Sequence, residues 1–330
     1  MIDYQVMKAT LVGCLIFTFA RSQTNDLDSS SESLQPNLPY SWIGSNALAR
    51  LALVERQERL QFHCEEIMTR EQLEERVLMP KDFKNILVND KLGLLYCYVP
   101  KVACTNWKRV LMIASGKWLG DNPLEIPGDI THAAGTFQRL SNFTMLEIER
   151  KLASYDTLIV VRHPLERLLS AYRNKLESKN EKGSKYFQSR FGKKIVQNYR
   201  QNATQESLSK GDDVTFSEFV DFITDKNATG TSNEHWKPIH ELCLPCKVNY
   251  NFISKYETLA EDAAEILERI GAGSIIFPMR SSTNEPTTAK LEHYYSTLSV
   301  KQLRKLAEMY RLDLRIFDYS LEEVLGFSVV

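Results

Sequence analysis

Two segments of the chain share one arrangement: a short apolar run, a tight turn, then an amphipathic helix. That repetition limits the possible folds more sharply than any bulk property. In the first segment Leu94, Leu95, Tyr96, Cys97, Tyr98 and Val99 are apolar or aromatic throughout, as in a strand buried on both faces. Pro100 ends the run, since proline cannot donate to a central ladder. Trp107, Val110, Leu111 and Ala114 then recur at helical spacing and predict one buried face, with Lys108 and Arg109 outside the stripe. In the second segment Leu158 to Val161 is apolar, Arg162 closes the strand, and Pro164 suits a first helical turn. Leu165, Leu168, Leu169, Tyr172 and Leu176 trace its buried stripe, leaving Ser170 and Arg173 outside. Strands of this kind, each feeding a helix, predict an α/β fold with a central parallel sheet flanked by helices. The periodic stretches Leu259 to Ile270 and Val300 to Tyr310 predict a helical C-terminal half.

The turns carry the chemistry. Lys101 to Asn106 presents backbone N–H groups at a helix N-terminus, where anions are favoured. Lys101 adds a point charge, and Thr105 and Asn106 add side-chain donors. A lone turn of this type is equally well explained by a capped helix beside a solvated lysine. The second unit, about 60 residues on, tips the balance, because Arg162 at a strand end and Ser170 on the following helix can grip another phosphate. No Gly-Lys-Ser/Thr sequence is present, so Mg²⁺ would lack its hydroxyl ligand and a nucleoside-triphosphatase or nucleotide kinase is disfavoured. Such a site suits transfer of something other than a phosphoryl group.

Pro100 to Asn106 (PKVACTN) resembles the 5′-phosphosulfate loop of Golgi carbohydrate sulfotransferases, and Arg162 to Ser170 (RHPLERLLS) resembles their 3′-phosphate element. The wider wording, YCYVPKVACTNWKR, SAYRNK, NEHW, LCLPC and KYETLAED, is similar to the HNK-1 and chondroitin 4-O-sulfotransferase branch, over roughly Val77 to Ser320. His163 departs from it, standing where the family usually has Asp or Glu. The resemblance implies a P-loop-like sulfotransferase fold and 3′-phosphoadenylyl sulfate as donor. The donor would lie along Pro100, Lys101, Val102, Ala103, Cys104, Thr105 and Asn106, and along Arg162, His163, Pro164, Leu165, Glu166, Arg167, Leu168, Leu169 and Ser170. It also implies transfer to the 4-hydroxyl of N-acetylgalactosamine in chondroitin-type chains on a proteoglycan. The alternatives are a dermatan or terminal-sugar acceptor, or a non-catalytic secreted glycosaminoglycan-binding protein.

Sulfuryl transfer is an in-line displacement, so the leaving phosphate must be stabilised and the acceptor hydroxyl must lose a proton. Lys101 suits the first task. For the base there are two candidates: His132, which lies between the two elements as a catalytic histidine does in related sulfotransferases, and His235, beside Glu234. His132 has the slight preference, and nothing calls for a metal. Between Ser178 and Arg200, Lys179, Lys182, Lys185, Arg190, Lys193, Lys194 and Arg200 oppose Glu181 alone. This run reads equally as a solvated face or as a rim for a polyanionic acceptor, Lys179, Lys182, Lys193 and Lys194 being the candidate contacts.

The remaining features set the context. Lys+Arg 41 against Asp+Glu 42 argues against nucleic-acid binding through bulk charge. An apolar run from Ala9 to Ala20 is short for a membrane span and fits a signal-peptide core, although the family's members are usually type II Golgi membrane proteins. Residues 1–22 are therefore expected to be a signal peptide or anchor, 23–76 a stem that is flexible and then helical, and 77–330 the catalytic domain in the Golgi lumen. Sequons at Asn142, Asn202 and Asn227 agree with a luminal setting. Of six cysteines, Cys243 and Cys246 predict a small disulfide loop or two buried thiols, with a zinc site drawing on His235 and His240 as the alternative.

Overall fold

A computed structural model describes residues 45–70, 77–178, 182–279 and 288–326, within a compact unit that begins at Ile43. The apolar run at 9–20, the polar segment after it and Lys179 lie outside the described residues. Among the described residues no helix is long and apolar enough to cross a membrane.

Among the described residues five strands form one sheet in the order β3-β1-β2-β4-β5: β1 (Ile86–Asn89), β2 (Leu94–Cys97), β3 (Gln138–Arg139), β4 (Asp156–Val161) and β5 (Phe252–Lys255). Strands β2, β4 and β5 are mutually parallel, with Cys97 beside Ile159 and Val161 beside Lys255. The sheet is nevertheless mixed, not wholly parallel as expected, because β1 runs antiparallel to both β2 and β3. The cause is local. Asp90 to Gly93 closes a tight turn, with Gly93 at φ +56° donating to Asp90, and a connection that short can join only antiparallel strands.

Helix α2 (Cys104–Ala114) follows β2, and α5 (Pro164–Tyr172) follows β4. Between them come the short α3 (Gly128–His132) and α4 (Met145–Ser154), which opens on a reciprocal cap between Thr144 and Glu147. Since β2 and β4 are parallel neighbours, their carboxyl ends finish at the same edge. The turn after β2 and Arg162 after β4 therefore meet there. One apolar core lies on the sheet; a second joins Leu165, Leu168 and Leu169 of α5 to Phe219, Trp236, Leu306 and Tyr310.

The segment read as helical stem is α1 (Ser45–Arg70), and it packs within the compact unit. Leu53, Leu60 and Ile67 are buried seven apart along one face. Arg56 reaches the buried Asp262 at 2.6 Å and the Ile253 carbonyl at 3.1 Å. A disulfide joins Cys64 to Cys246, and another joins Cys97 to Cys243. These pairings overturn the small CLPC loop, the two buried thiols and the zinc alternative together, because both sulfurs are already bonded to distant partners. His240, the other supposed ligand, is held by Asp313 at 2.7 Å.

Candidate active site

Where the two turns meet, the protein has a cleft of about 700 Å³. Among the described residues six cationic side chains line it, Lys101, Lys108, Arg109, Arg139, Arg162 and Lys175, against the single carboxylate of Glu234. Low-dielectric walls lined with one sign of charge concentrate an anionic ligand.

The first wall is the turn after β2. Lys101 and Ala103 adopt left-handed backbone, φ 74° and 63°, a conformation L-residues take at a cost, and α2 starts at Cys104 directly afterwards. This replaces the glycines of an ordinary phosphate loop: two left-handed residues bend the chain into α2, and the turn and the first residues of α2 line the cleft, at the helix end where anions are favoured. Of the predicted donor-loop residues, Pro100, Lys101, Ala103, Cys104, Thr105 and Asn106 line the cleft, whereas Val102 is buried in the core. Asn106 is not a free donor. Its Nδ2 donates to the Pro278 carbonyl at 2.7 Å and its Oδ1 accepts from Arg109 at 3.1 Å. Burial pushes the Cys104 thiol up, keeping it protonated.

The second wall is Arg162 with Ser170. Arg162 makes two hydrogen bonds to Glu166, at 2.9 and 3.1 Å, and its guanidinium sits 4.3 Å from the Tyr256 ring centroid. Ser170, within α5, lines the same cleft. The rest of the predicted second element serves the fold. His163 accepts the Leu165 N–H on Nδ1 at 3.2 Å and faces the Ser320 carbonyl with Nε2 at 2.9 Å, so it caps α5 in the place of an acidic residue. Pro164, Leu165, Leu168 and Leu169 are buried. Arg167 is buried too and donates to the carbonyls of Pro100, Lys237 and Glu234, at 3.1, 2.8 and 2.7 Å. It ties the donor loop to the NEHW loop instead of facing a ligand. Glu166 acts through Arg162. The KYETLAED wording has a similar scaffolding role: Asp262 accepts from Ser254, Lys255 N and Thr258, and Glu257 accepts from His163 N.

Both candidate bases line the same cleft. His132, at the end of α3, has Nε2 3.0 Å from Thr105 Oγ1 and Nδ1 3.2 Å from Lys108 Nζ. Partial burial, then Lys108 and Lys175, pull it down to about 4. His235 has Nδ1 2.7 Å from Asn233 Oδ1, and among the described residues Nε2 takes no hydrogen bond. Burial, then Lys175 and Lys101, hold it at about 2. Both imidazoles are therefore neutral near pH 7, and of the two His235 keeps a ring nitrogen without a hydrogen bond among the described residues.

Several lining residues escaped the sequence reading. Lys108, placed outside the helical stripe, is buried with its Nζ 4.3 Å from the Tyr98 ring, and Tyr98 donates to Glu234 at 3.1 Å. Arg139 comes from the two-residue strand β3, too short to leave a pattern. Asn174 and Lys175 follow Ser170 where the helix widens into a π turn, Arg173–Glu177, and the four-residue spacing from Ser170 to Asn174 was a readable signal. Lys193 and Lys194 do not line the cleft, and the side chain of Lys182 lies outside the described residues. The three sequon asparagines, Asn142, Asn202 and Asn227, are all exposed.

The profile of the sulfotransferase family matches residues 84–320, which contain every residue of the cleft. Carbohydrate sulfotransferase 11 of Mus musculus is 41% identical over 253 residues, covering 76% of this chain and 71% of that protein. Carbohydrate sulfotransferase 14 of Danio rerio is 41% identical over 240 residues, 72% of this chain and 63% of the relative. Carbohydrate sulfotransferase 8 of Homo sapiens is 36% identical over 250 residues, 74% and 58% respectively. No solved structure matches significantly.

Proposed function

This chain belongs to the sulfotransferase family and is an enzyme of the carbohydrate sulfotransferase kind, and we propose that it uses 3′-phosphoadenylyl sulfate to sulfate the 4-hydroxyl of N-acetylgalactosamine in chondroitin-type chains. The observation that carries this reading is the meeting of the Lys101 turn and Arg162 in one cationic cleft. A ligand bearing phosphates at two separated positions fits such a pair of sites, and six cations against one carboxylate match its charge.

The donor supplies an activated sulfuryl group on a phosphate that leaves. Lys101 and the N–H groups opening α2 stabilise charge growing on that phosphate, a contribution of about 3 kcal/mol for a preorganised donor. Arg162 and Ser170 hold the second phosphate. His235 takes the proton of the acceptor hydroxyl on Nε2, a role worth about 10²–10⁴ in rate. The sequence slightly favours His132, but both of its ring nitrogens are engaged, so its role is to steady Thr105 in the donor loop. The cations that keep His235 neutral are the groups a polyanionic donor offsets. Its basicity therefore rises as the site fills, towards the range in which a general base works.

Two long-range disulfides support an oxidising compartment, and with it the Golgi lumen, reached through the apolar run at 9–20 as signal or anchor. The catalytic unit on this reading starts near Ser45, not at Val77, because α1 is bonded into it. The test is incubation of the purified luminal part with radiolabelled donor and desulfated chondroitin, dermatan and heparan. Label on the 4-hydroxyl of N-acetylgalactosamine in chondroitin is expected. Donor binding with no incorporation into any polymer would leave a glycosaminoglycan-binding protein instead.

A further inference from the structure

The loop carrying His235 starts at Asn233, whose carboxamide oxygen is used twice. It accepts the backbone N–H of His235 at 3.0 Å and meets Nδ1 of the same residue at 2.7 Å. The first contact identifies the atom as oxygen, because a backbone N–H must find an acceptor, and the second then requires a proton on Nδ1. A neutral imidazole protonated there carries its lone pair on Nε2.

The backbone of Asn233 is itself held. The Asn233 carbonyl accepts from Trp236 N at 3.1 Å and Lys237 N at 2.8 Å, closing a turn on the buried Trp236, whose Nε1 donates to the Thr231 carbonyl at 2.8 Å. The Phe187 ring stands edge-to-face with the imidazole, centroids 5.1 Å apart, and limits its rotation. The titratable groups around His235 are Lys175 and Lys101, then Arg167 and His132, with Glu234 adjacent in sequence. Glu234, the one carboxylate lining the cleft among the described residues, accepts the Tyr98 hydroxyl, and the cationic neighbours Lys175, Lys101 and Arg167 cannot accept a proton from Nδ1. Asn233 is thus the acceptor that selects the tautomer.

We propose that Asn233 is a positioning residue for the transfer reaction: it fixes His235 as the Nδ1–H tautomer and so presents a basic Nε2 to the acceptor hydroxyl. This rests on the reading of His235 as the base. Asparagine serves here where a carboxylate would also orient the ring, and its neutrality has a consequence. A carboxylate would attract a second proton to the imidazole among phosphates that already favour it, leaving the base protonated at working pH.

The test uses the whole luminal protein with ¹⁵N-labelled histidine, the His235 signals being assigned by their loss in His235→Gln. The wild type is expected to show a protonated Nδ1 and a bare Nε2 at pH 7.5. Asn233→Ala is expected to lose that single tautomer and to lower kcat about tenfold or more, with donor KM within about twofold. Asn233→Asp should restore the tautomer and much of kcat at pH 8, and move the acid limb of the kcat profile to higher pH. A bare Nδ1 in the wild type overturns the proposal without any variant. If His235→Gln is inactive while Asn233→Ala keeps wild-type kcat and pH profile, the positioning role alone fails. If His235→Gln transfers at the wild-type rate, the base assignment fails and this inference with it.

Discussion

The guanidinium of Arg162 lies 3.4 Å from the carbonyl oxygen of Lys101, so two residues 61 positions apart share one wall of a cleft. Parallel pairing of β2 with β4 puts their carboxyl ends side by side, and Arg167 secures the junction by donating to Pro100 at 3.1 Å. Glu166 and Tyr256 hold the Arg162 side chain before any ligand arrives, which lowers the entropy lost on binding.

Lys101 and Arg162 should fail differently. Lys101→Ala removes charge stabilisation on the leaving phosphate and is expected to lower kcat by about 10²–10³. Arg162→Ala removes a phosphate contact and leaves Glu166 facing the donor, so donor KM should rise at least about tenfold, with a smaller change in kcat. Steady-state kinetics with donor varied at saturating acceptor, beside a melting curve for each variant, checks both. Equal effects on kcat and KM from the two substitutions would contradict this division of roles.

Acceptor capture should depend on Lys175 and not on the basic run beyond it. Lys175 lines the cleft and lies 4.9 Å from the Phe187 ring centroid, whereas Lys193 and Lys194 do not reach it. Lys175→Ala is expected to raise acceptor KM about tenfold, in line with about 1.5 kcal/mol for a hydrogen bond to a charged group. The double variant Lys193→Ala, Lys194→Ala should stay within about twofold. Acceptor titrations at two salt concentrations decide the matter, since screening weakens whichever contact operates.

The two disulfides should separate stability from donor binding. Each closes a long loop, with sequence separations of 182 for Cys64–Cys246 and 146 for Cys97–Cys243, and losing either is expected to cost about 2–5 kcal/mol. Replacing Cys64 and Cys246 by Ser loosens α1, far along the chain from the donor loop, so donor affinity should persist in the folded fraction. Replacing Cys97 and Cys243 frees the end of β2, three residues before Pro100, and should also weaken donor binding. Denaturant titrations and calorimetric titration with adenosine 3′,5′-bisphosphate measure the two quantities independently.

Acid should destabilise the fold from near pH 6.5 downwards. Burial and neighbouring cations hold His235 at about 2 and His132 at about 4, below the value near 6.5 expected when unfolded. Between those limits the unfolded chain binds protons that the folded chain refuses, so stability is full above about pH 6.5 and falls as pH drops. The slope should approach one proton for His235 and be smaller for His132, which water screens at the mouth of the cleft. Urea midpoints at pH 5, 6 and 7 are expected to decline in the wild type and to flatten in His235→Gln. An equally steep decline in that variant would count against the burial argument.

Much of this protein was legible residue by residue. Apolar runs marked β2 and β4, helical spacing marked α2 and α5, and the turn chemistry singled out Lys101, Arg162 and Ser170, because each of these properties is encoded within about a dozen neighbouring positions. Choice of partner was another matter. Nothing local could tell that Cys243 and Cys246 bond to Cys97 and Cys64, that α1 packs beneath Asp262, or that Lys108 turns inwards against Tyr98. Nor could it tell which nitrogen of which histidine keeps a lone pair. Those outcomes depend on contacts between segments brought together by the sheet and its crossovers, where energies of burial and pairing outweigh the preferences of any short stretch.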